Sequence, residues 1–271
     1  MKPVPHLFEK TKINKDFARL NRLIYGLPKT GKSSFAACQV DKEGREPLFI
    51  STEDGLGALE AYSVRVTSWD GVKKLLGVLK DNATQIQKDH SCFVIDLISD
   101  CDLWCAEWVA KKNNVAHLAD MQFGKGWALA KAEFQSVIRA LFEILPVTFI
   151  CHSAEKDIFW NAEVIKMQAP SLSKGALEFV NAKVDTICYM IPANSKRAMP
   201  EITMKPSLMS IAGSRYRQIA KSFPINPNDP AATFKEIAKV FANEKNVVIE
   251  EKETAKNPVT SSSDSAQVAT N

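Results

Sequence analysis

Apolar positions along the chain fall into two kinds of run. Short, nearly unbroken runs occur at Arg22–Tyr25, "PLFIST" (Pro47–Thr52), "SCFVIDLIS" and "VTFICHS". Such runs suit strands covered by helices on both sheet faces. "YSVRVTS", "DTICYMIP" and "PEITMKPS" read as further strands, the last at an edge. Between them the apolar spacing changes to a helical one. Ser33–Val40 follows the first strand, and Asp70–Asn82 places Val72, Leu75, Leu76 and Leu79 at i, i+3, i+4 and i+7. Asp102–Lys112 is a third helical segment, and a long one runs from Trp127 to Leu145, where Pro146 stops it. Asp229 caps a last helix over Pro230–Glu244, with Pro230 at the first helical position. Ala154–Gly175 is long and polar, with no element assigned, and reads as an irregular functional or mobile segment. Strands alternating with helices predict an α/β fold: a mostly parallel sheet with helices on both faces.

Composition changes this picture only at the ends. Residues 1–18 form an N-terminal arm, 19–245 one α/β domain, and 246–271 a Ser-, Thr-, Ala-, Glu- and Lys-rich tail expected to be disordered. No run of about 18 apolar residues predicts a membrane span, and the N-terminus lacks an apolar signal-peptide core. A cytoplasmic protein is expected, without a membrane partner. The six cysteines form no CxxC pair and read as reduced and mostly buried; Cys101 and Cys105, with His117 nearby, make a poor zinc pattern. Net charge is +4, but residues 196–221 carry six Lys/Arg and one acid. A basic cluster of that kind suits a polyanion partner and also suits a solvated face.

The sharpest chemical signal is "GLPKTGKSS". Gly26, Leu27, Pro28, Lys29, Thr30, Gly31, Lys32 and Ser33 fit G-x-x-x-x-G-K-[ST], and Ser34 follows. The glycines let successive N–H groups face phosphate oxygens, and the following helix adds its positive end. Lys32 can reach the outer phosphates of ATP and Ser33 can ligate Mg2+. The metal needs a carboxylate at the end of a buried strand, expected beside the P-loop strand. Asp96 in "CFVIDLISD" has that position; Asp100 is the alternative, beyond the strand end. Hydrolysis also needs a group to orient water. Glu53, just past "PLFIST", suits that role, although an acid there also suits a helix N-terminus.

In order, these segments run P-loop, strand with Glu53, strand with Asp96, strand with His152, and so resemble the RecA-like ATPase core. "FISTEDGL" looks like that family's strand with the catalytic Glu, and "VTFICHSAEKD" like its sensor strand. The resemblance gives His152 the place of a γ-phosphate sensor; a hydrogen-bonded strand-end histidine is the plainer reading. "HSAEKD", "VDTICYM" and "AGSRYR" are similar to small phage-encoded RecA-like proteins, labelled phage nucleotide-binding or AAA family ATPases, some of them single-strand annealing proteins of the Sak type. The resemblance implies a minimal core, and the outer domains of a bacterial recombinase, and with them full strand exchange, are not expected.

The resemblance also implies an oligomer whose loops line single-stranded DNA. The matching segments are Asn113–Lys125 and Ala154–Gly175, the second with Lys156, Phe159, Trp160, Lys166 and Lys174. Exposed aromatics would stack on bases; packing of the loop on the core is the alternative. Arg215 or Arg217 could reach a neighbour's γ-phosphate, contact DNA, or face solvent. The expected function is therefore an ATPase acting on single-stranded DNA in recombination, annealing or replication, with a single-strand-binding or replication protein as a further partner. A nucleotide-dependent switch or loader acting on a protein is the competing reading, and a small-molecule kinase a more distant one.

Overall fold

The strand that leads into the phosphate loop is buried on both sides, and the sheet is built outward from it. The structure is a computed structural model that describes residues 14–195 and 197–242. In chain order, β1 (Arg22–Gly26) leads through the loop to α1 (Lys32–Ala37), followed by β2 (Glu46–Ser51) and β3 (Tyr62–Arg65). Helices α2 (Trp69–Asp81) and α3 (Ala83–Asp89) precede β4 (His90–Asp96), and α4 (Ile98–Lys112) and α5 (Lys125–Phe142) precede β5 (Val147–Trp160). Then come β6 (Glu163–Pro170), α6 (Lys174–Lys183), β7 (Thr186–Ile191), β8 (Glu201–Thr203), β9 (Gly213–Ser214), β10 (Ser222–Pro224) and α7 (Pro230–Ala242).

The main sheet order is β10-β8-β7-β1-β5-β4-β2-β3. Strands β7 through β3 of that order pair in parallel, and β8 and β10 extend the sheet antiparallel. Side chains alternate between faces along each strand. Leu23, Tyr25, Phe93, Ile95, Phe149 and Cys151 pack with α2, α4, α5 and α6 on one side. Ile24, Phe49, Val94, Ile150 and Cys188 pack with Phe17, α1 and α7 on the other. The α/β architecture with a mostly parallel sheet is as expected from the alternating runs.

Several boundaries differ from the sequence reading. The segment Ala154–Gly175 is not irregular: β5 continues to Trp160, turns through Asn161 and Ala162, and returns as β6. Both turn residues have positive φ (49° and 65°), which matches the twist of a two-residue hairpin. Helix α4 starts at Ile98 instead of Asp102, because β4 ends at Asp96. Helix α1 stops at Ala37, three residues short of Val40, and Gln39 turns inward. β8 is not an edge strand, since β10 covers it. Helices α3 and α6 were not anticipated. Phe17 and Ala18, placed in the arm, are buried in the core. The tail 246–271 lies outside the described residues. All six cysteines are free, five of them buried, and His117 is exposed, apart from Cys101 and Cys105. Among the described residues no helix is long and apolar enough to cross a membrane.

One interior charge was not foreseen. Arg22 is fully buried at the start of β1, and burial pulls its pKa down. Its guanidinium donates to Gln39 Oε1 and to the Phe17 carbonyl, and lies 4.4 Å from the Phe17 ring centroid. Gln39 Oε1 also accepts from Thr148 Oγ1 at 2.8 Å. This network ties the residues before β1 to α1 and β5. Arg22→Ala leaves a cavity and removes the donor to a buried carbonyl. We expect a loss of about 3 kcal/mol or more in unfolding free energy, read as a lower urea midpoint.

Candidate functional site

β1 ends at a glycine because β7 approaches too closely for a side chain: a Cβ on Gly26 would lie 2.5 Å from the Met190 carbonyl oxygen. The chain then loops through exposed Leu27, Pro28 and Lys29, and Thr30 Oγ1 donates to the Leu27 carbonyl at 2.9 Å. Gly31 takes φ 85°, a left-handed conformation that glycine adopts without steric cost. Helix α1 begins immediately, anchored by buried Phe35 and Ala36. Lys32 is only 5% exposed, and its Nζ donates to the carbonyls of Gly26 (3.2 Å) and Leu27 (2.7 Å). Burial lowers its pKa, opposed by Asp96, Cys151 and Glu53. Ser33 Oγ donates to Asp96 Oδ2 at 2.6 Å, and Ser34 is half-buried in the same turn.

Asp96 reaches this point from a strand that is not next to β1, contrary to expectation. β5 lies between them, with His152 level with Gly26 and Ile150 level with Asp96. The ends of β1, β4 and β2 therefore lie within two residues of one another along one edge, beside Ile150–His152 of the continuing β5, where parallel α/β sheets bind ligands. Burial raises the Asp96 pKa, opposed by the Ser33 hydrogen bond, Lys32 and His152. Asp100 is occupied elsewhere: on the first turn of α4 it accepts from Thr52 Oγ1. Thr52 Oγ1 in turn accepts from the Leu97 N–H at 2.9 Å, locking the ends of β2 and β4 together. Glu53 follows, exposed, its carbonyl accepting from Ser51 Oγ at 2.5 Å. Its carboxylate is close enough to raise the Lys32 pKa. Among the described residues, His152 Nδ1 and Ser153 Oγ are buried without hydrogen-bond partners.

These residues fit a nucleotide phosphate with Mg2+. The Ser33 hydroxyl and Asp96 carboxylate are hard oxygen donors of the kind Mg2+ takes alongside phosphate. The hydrogen bonds of the Lys32 ammonium go to carbonyls, and His152, level with Gly26 on the neighbouring strand, has an Nδ1 without a partner among the described residues.

The structure brings together Lys32, Ser33, Glu53, Asp96 and His152. It does not bring Arg215 or Arg217 to them within the chain. Arg215 Nη1 pairs with Asp185 at 3.2 Å and Nη2 donates to the Ala182 carbonyl at 2.7 Å. Both partners flank the start of β7, at the opposite end of the sheet from the phosphate loop. Arg217 is exposed in the next turn. On the hairpin, Phe159 is 82% and Trp160 50% exposed, so neither is packed away in the core. Lys166 pairs with Glu155 at 2.6 Å, Lys156 is exposed on β5, and Lys174 opens α6 at the hairpin root. Two supports were missed. Tyr25, one residue before Gly26, donates its hydroxyl to the Gln168 carbonyl on β6 at 3.1 Å. Asp102 on α4 accepts from Ser173 N (2.7 Å) and Oγ (3.0 Å). Nothing in local sequence marks either pair, because each spans a long separation.

The Asp96 shift has a stability consequence. A carboxyl whose folded pKa is raised favours the native state below the unfolded value of 3.8, and that advantage is lost as pH rises through the folded value. At neutral pH the ionised group therefore opposes folding. Asp96→Asn keeps the acceptor for Ser33 without the charge. Without nucleotide at pH 7 it should melt higher, on the order of 2–4 °C per kcal/mol relieved, the gap closing toward pH 4. The same variant should lose the stabilisation that ATP with Mg2+ gives the wild type, both read by thermal denaturation.

Comparison with known proteins adds one match. No curated protein matches the chain. A family model described as "AAA domain" matches residues 18–216, from the buried residues before β1 to the turn after β9. That span holds the phosphate loop and every strand end that surrounds it, and the chain accordingly belongs to the AAA domain family of P-loop ATPases.

Proposed function

We propose that the protein is a Mg2+-dependent ATPase that acts on single-stranded DNA, as an oligomer, in phage recombination, annealing or replication. The observation that carries this reading is the origin of the hairpin. β5 lies between the Gly26 strand and the Asp96 strand, and it runs from His152 straight into an exposed aromatic tip. The Ser171 N–H donates to the His152 carbonyl at 2.9 Å, so the returning arm is bonded to the same residue.

Lys32 and the loop N–H groups hold the phosphates, and Ser33 and Asp96 would hold the metal. Bound Mg2+ would neutralise charge that develops on the phosphate oxygens. Glu53, exposed at the end of β2, orients or deprotonates the attacking water. His152 senses the outer phosphate through Nδ1 and passes the change to the hairpin. There Phe159 and Trp160 stack on bases while Lys156, Lys166 and Lys174 attract the backbone. Arg217, exposed and without a salt bridge among the described residues, suits a neighbour's phosphate better than Arg215, which Asp185 occupies. The phage setting, and a single-strand-binding or replication protein as partner, rest on the resemblance of "HSAEKD" and "AGSRYR" to the phage-encoded group.

Fluorescence anisotropy of a labelled single-stranded oligonucleotide tests the reading. Binding should require ATP and Mg2+ and fail in Lys32→Ala. Phe159→Ala with Trp160→Ala should weaken it about tenfold or more. An absence of binding at low salt, with or without ATP, would sink the strand reading. Nucleotide-dependent association with a protein, with no DNA effect on turnover, would favour the loader instead.

A further inference from the structure

Beside the phosphate site, α4, α5, the root of the hairpin and the start of α6 enclose an open cavity of about 1100 Å³. That is just above the roughly 300–1,000 Å³ of typical small-molecule pockets. Its inner wall is apolar, with Phe134 and Leu172 among the lining residues. Leu103 and Trp127 also line it, and these large side chains remain 57% and 55% exposed. A half-exposed indole over an apolar hollow is a surface for a flat ring.

The charged groups in the lining differ in how they are held. Asp100 accepts from Thr52 and Asp102 from Ser173, neutral donors that turn these carboxylates away from a ligand without cancelling their charge, and Glu178 pairs with Lys131 at 3.1 Å. Of the lining lysines, Lys131 is thereby neutralised. Lys156 and Lys174 are exposed, with no ion pair among the described residues. Two cations without a carboxylate partner among the described residues therefore stand at the rim, next to a stacking surface.

We propose that this cavity is a second nucleotide site, taking one nucleoside monophosphate unit: a flat heterocycle against Trp127 and a phosphate between Lys156 and Lys174. Such a unit can come from a free nucleotide or from a single strand whose base turns out of the strand path. The second source deepens the strand reading above; the first stands without it. The site needs neither Lys32 nor Ser33.

The test uses full-length protein in two forms: Lys32→Ala, which silences the phosphate loop, for the free-nucleotide arm, and the wild type with ATP and Mg2+ for the oligonucleotide arm. The probe is 2-aminopurine deoxyribonucleoside monophosphate, free in one arm and as the central residue of an oligo-dT in the other. Stacking quenches its fluorescence, and anisotropy of end-labelled oligo-dT is followed in parallel. We expect saturable quenching in at least one arm, weakened about tenfold by Trp127→Ala and by Lys174→Glu. Both positions are exposed, and circular-dichroism melting verifies that each variant folds. Quenching of the free monophosphate without oligonucleotide binding keeps the cavity site and sinks the strand reading. Oligonucleotide binding without Trp127-dependent quenching overturns the cavity site and leaves the strand reading standing. Quenching in neither arm overturns the cavity site.

Discussion

The Lys32 ammonium is buried and the Asp96 carboxylate half-buried at the edge of the sheet, with the Ser33 hydroxyl joined to the second at 2.6 Å. Burial pushes the two groups in opposite directions, Lys32 down and Asp96 up, so each is held against its solvation preference. A ligand that carries anionic oxygens and a divalent cation satisfies both at once. The rest of the fold serves that meeting. Gly26 lets β7 close on β1, the register brings the ends of β1, β4 and β2 within two residues of one another, and Thr52 fastens the end of β2 to β4.

The same edge is mechanically joined to the hairpin at three points. His152 begins the outgoing arm, the Tyr25 hydroxyl holds the returning arm through Gln168, and Asp102 holds Ser173 at its root. Tyr25 immediately precedes the phosphate loop, and Asp102 lies on the helix that follows Asp96. These hydrogen bonds are the route by which the proposed mechanism would carry a shift at the phosphate edge to the hairpin.

Much of this was legible in the chain. The phosphate loop needs a contiguous set of residues, so its pattern is visible in eight positions. The buried strands announce themselves because both faces must be apolar, and Asp96 stands out as an acid after four interior residues. The hairpin was misread because its alternation is hidden: one face is exposed, so polar residues and aromatics mix without a clear period. Its Asn161-Ala162 turn lacks the glycine that usually signals a tight hairpin. Helix α6 did leave a trace, with Ala176, Phe179 and Val180 at i, i+3 and i+4. The insertion of β5 between β1 and β4 could not be read, since pairing order depends on contacts distant in sequence. The local sequence gives no sign that Arg22 is interior; Gln39 and Phe17, distant or non-periodic in the chain, fold over it.

Hydrogen–deuterium exchange across residues 153–170, with and without ATP and Mg2+, tests the central claim most directly. If phosphate contact at Lys32, Ser33 and Asp96 governs the hairpin through His152, nucleotide will change exchange there in the wild type, and His152→Ala will bind nucleotide without that change. Exchange in the hairpin that is the same with and without nucleotide, while the phosphate loop itself becomes protected, would contradict it.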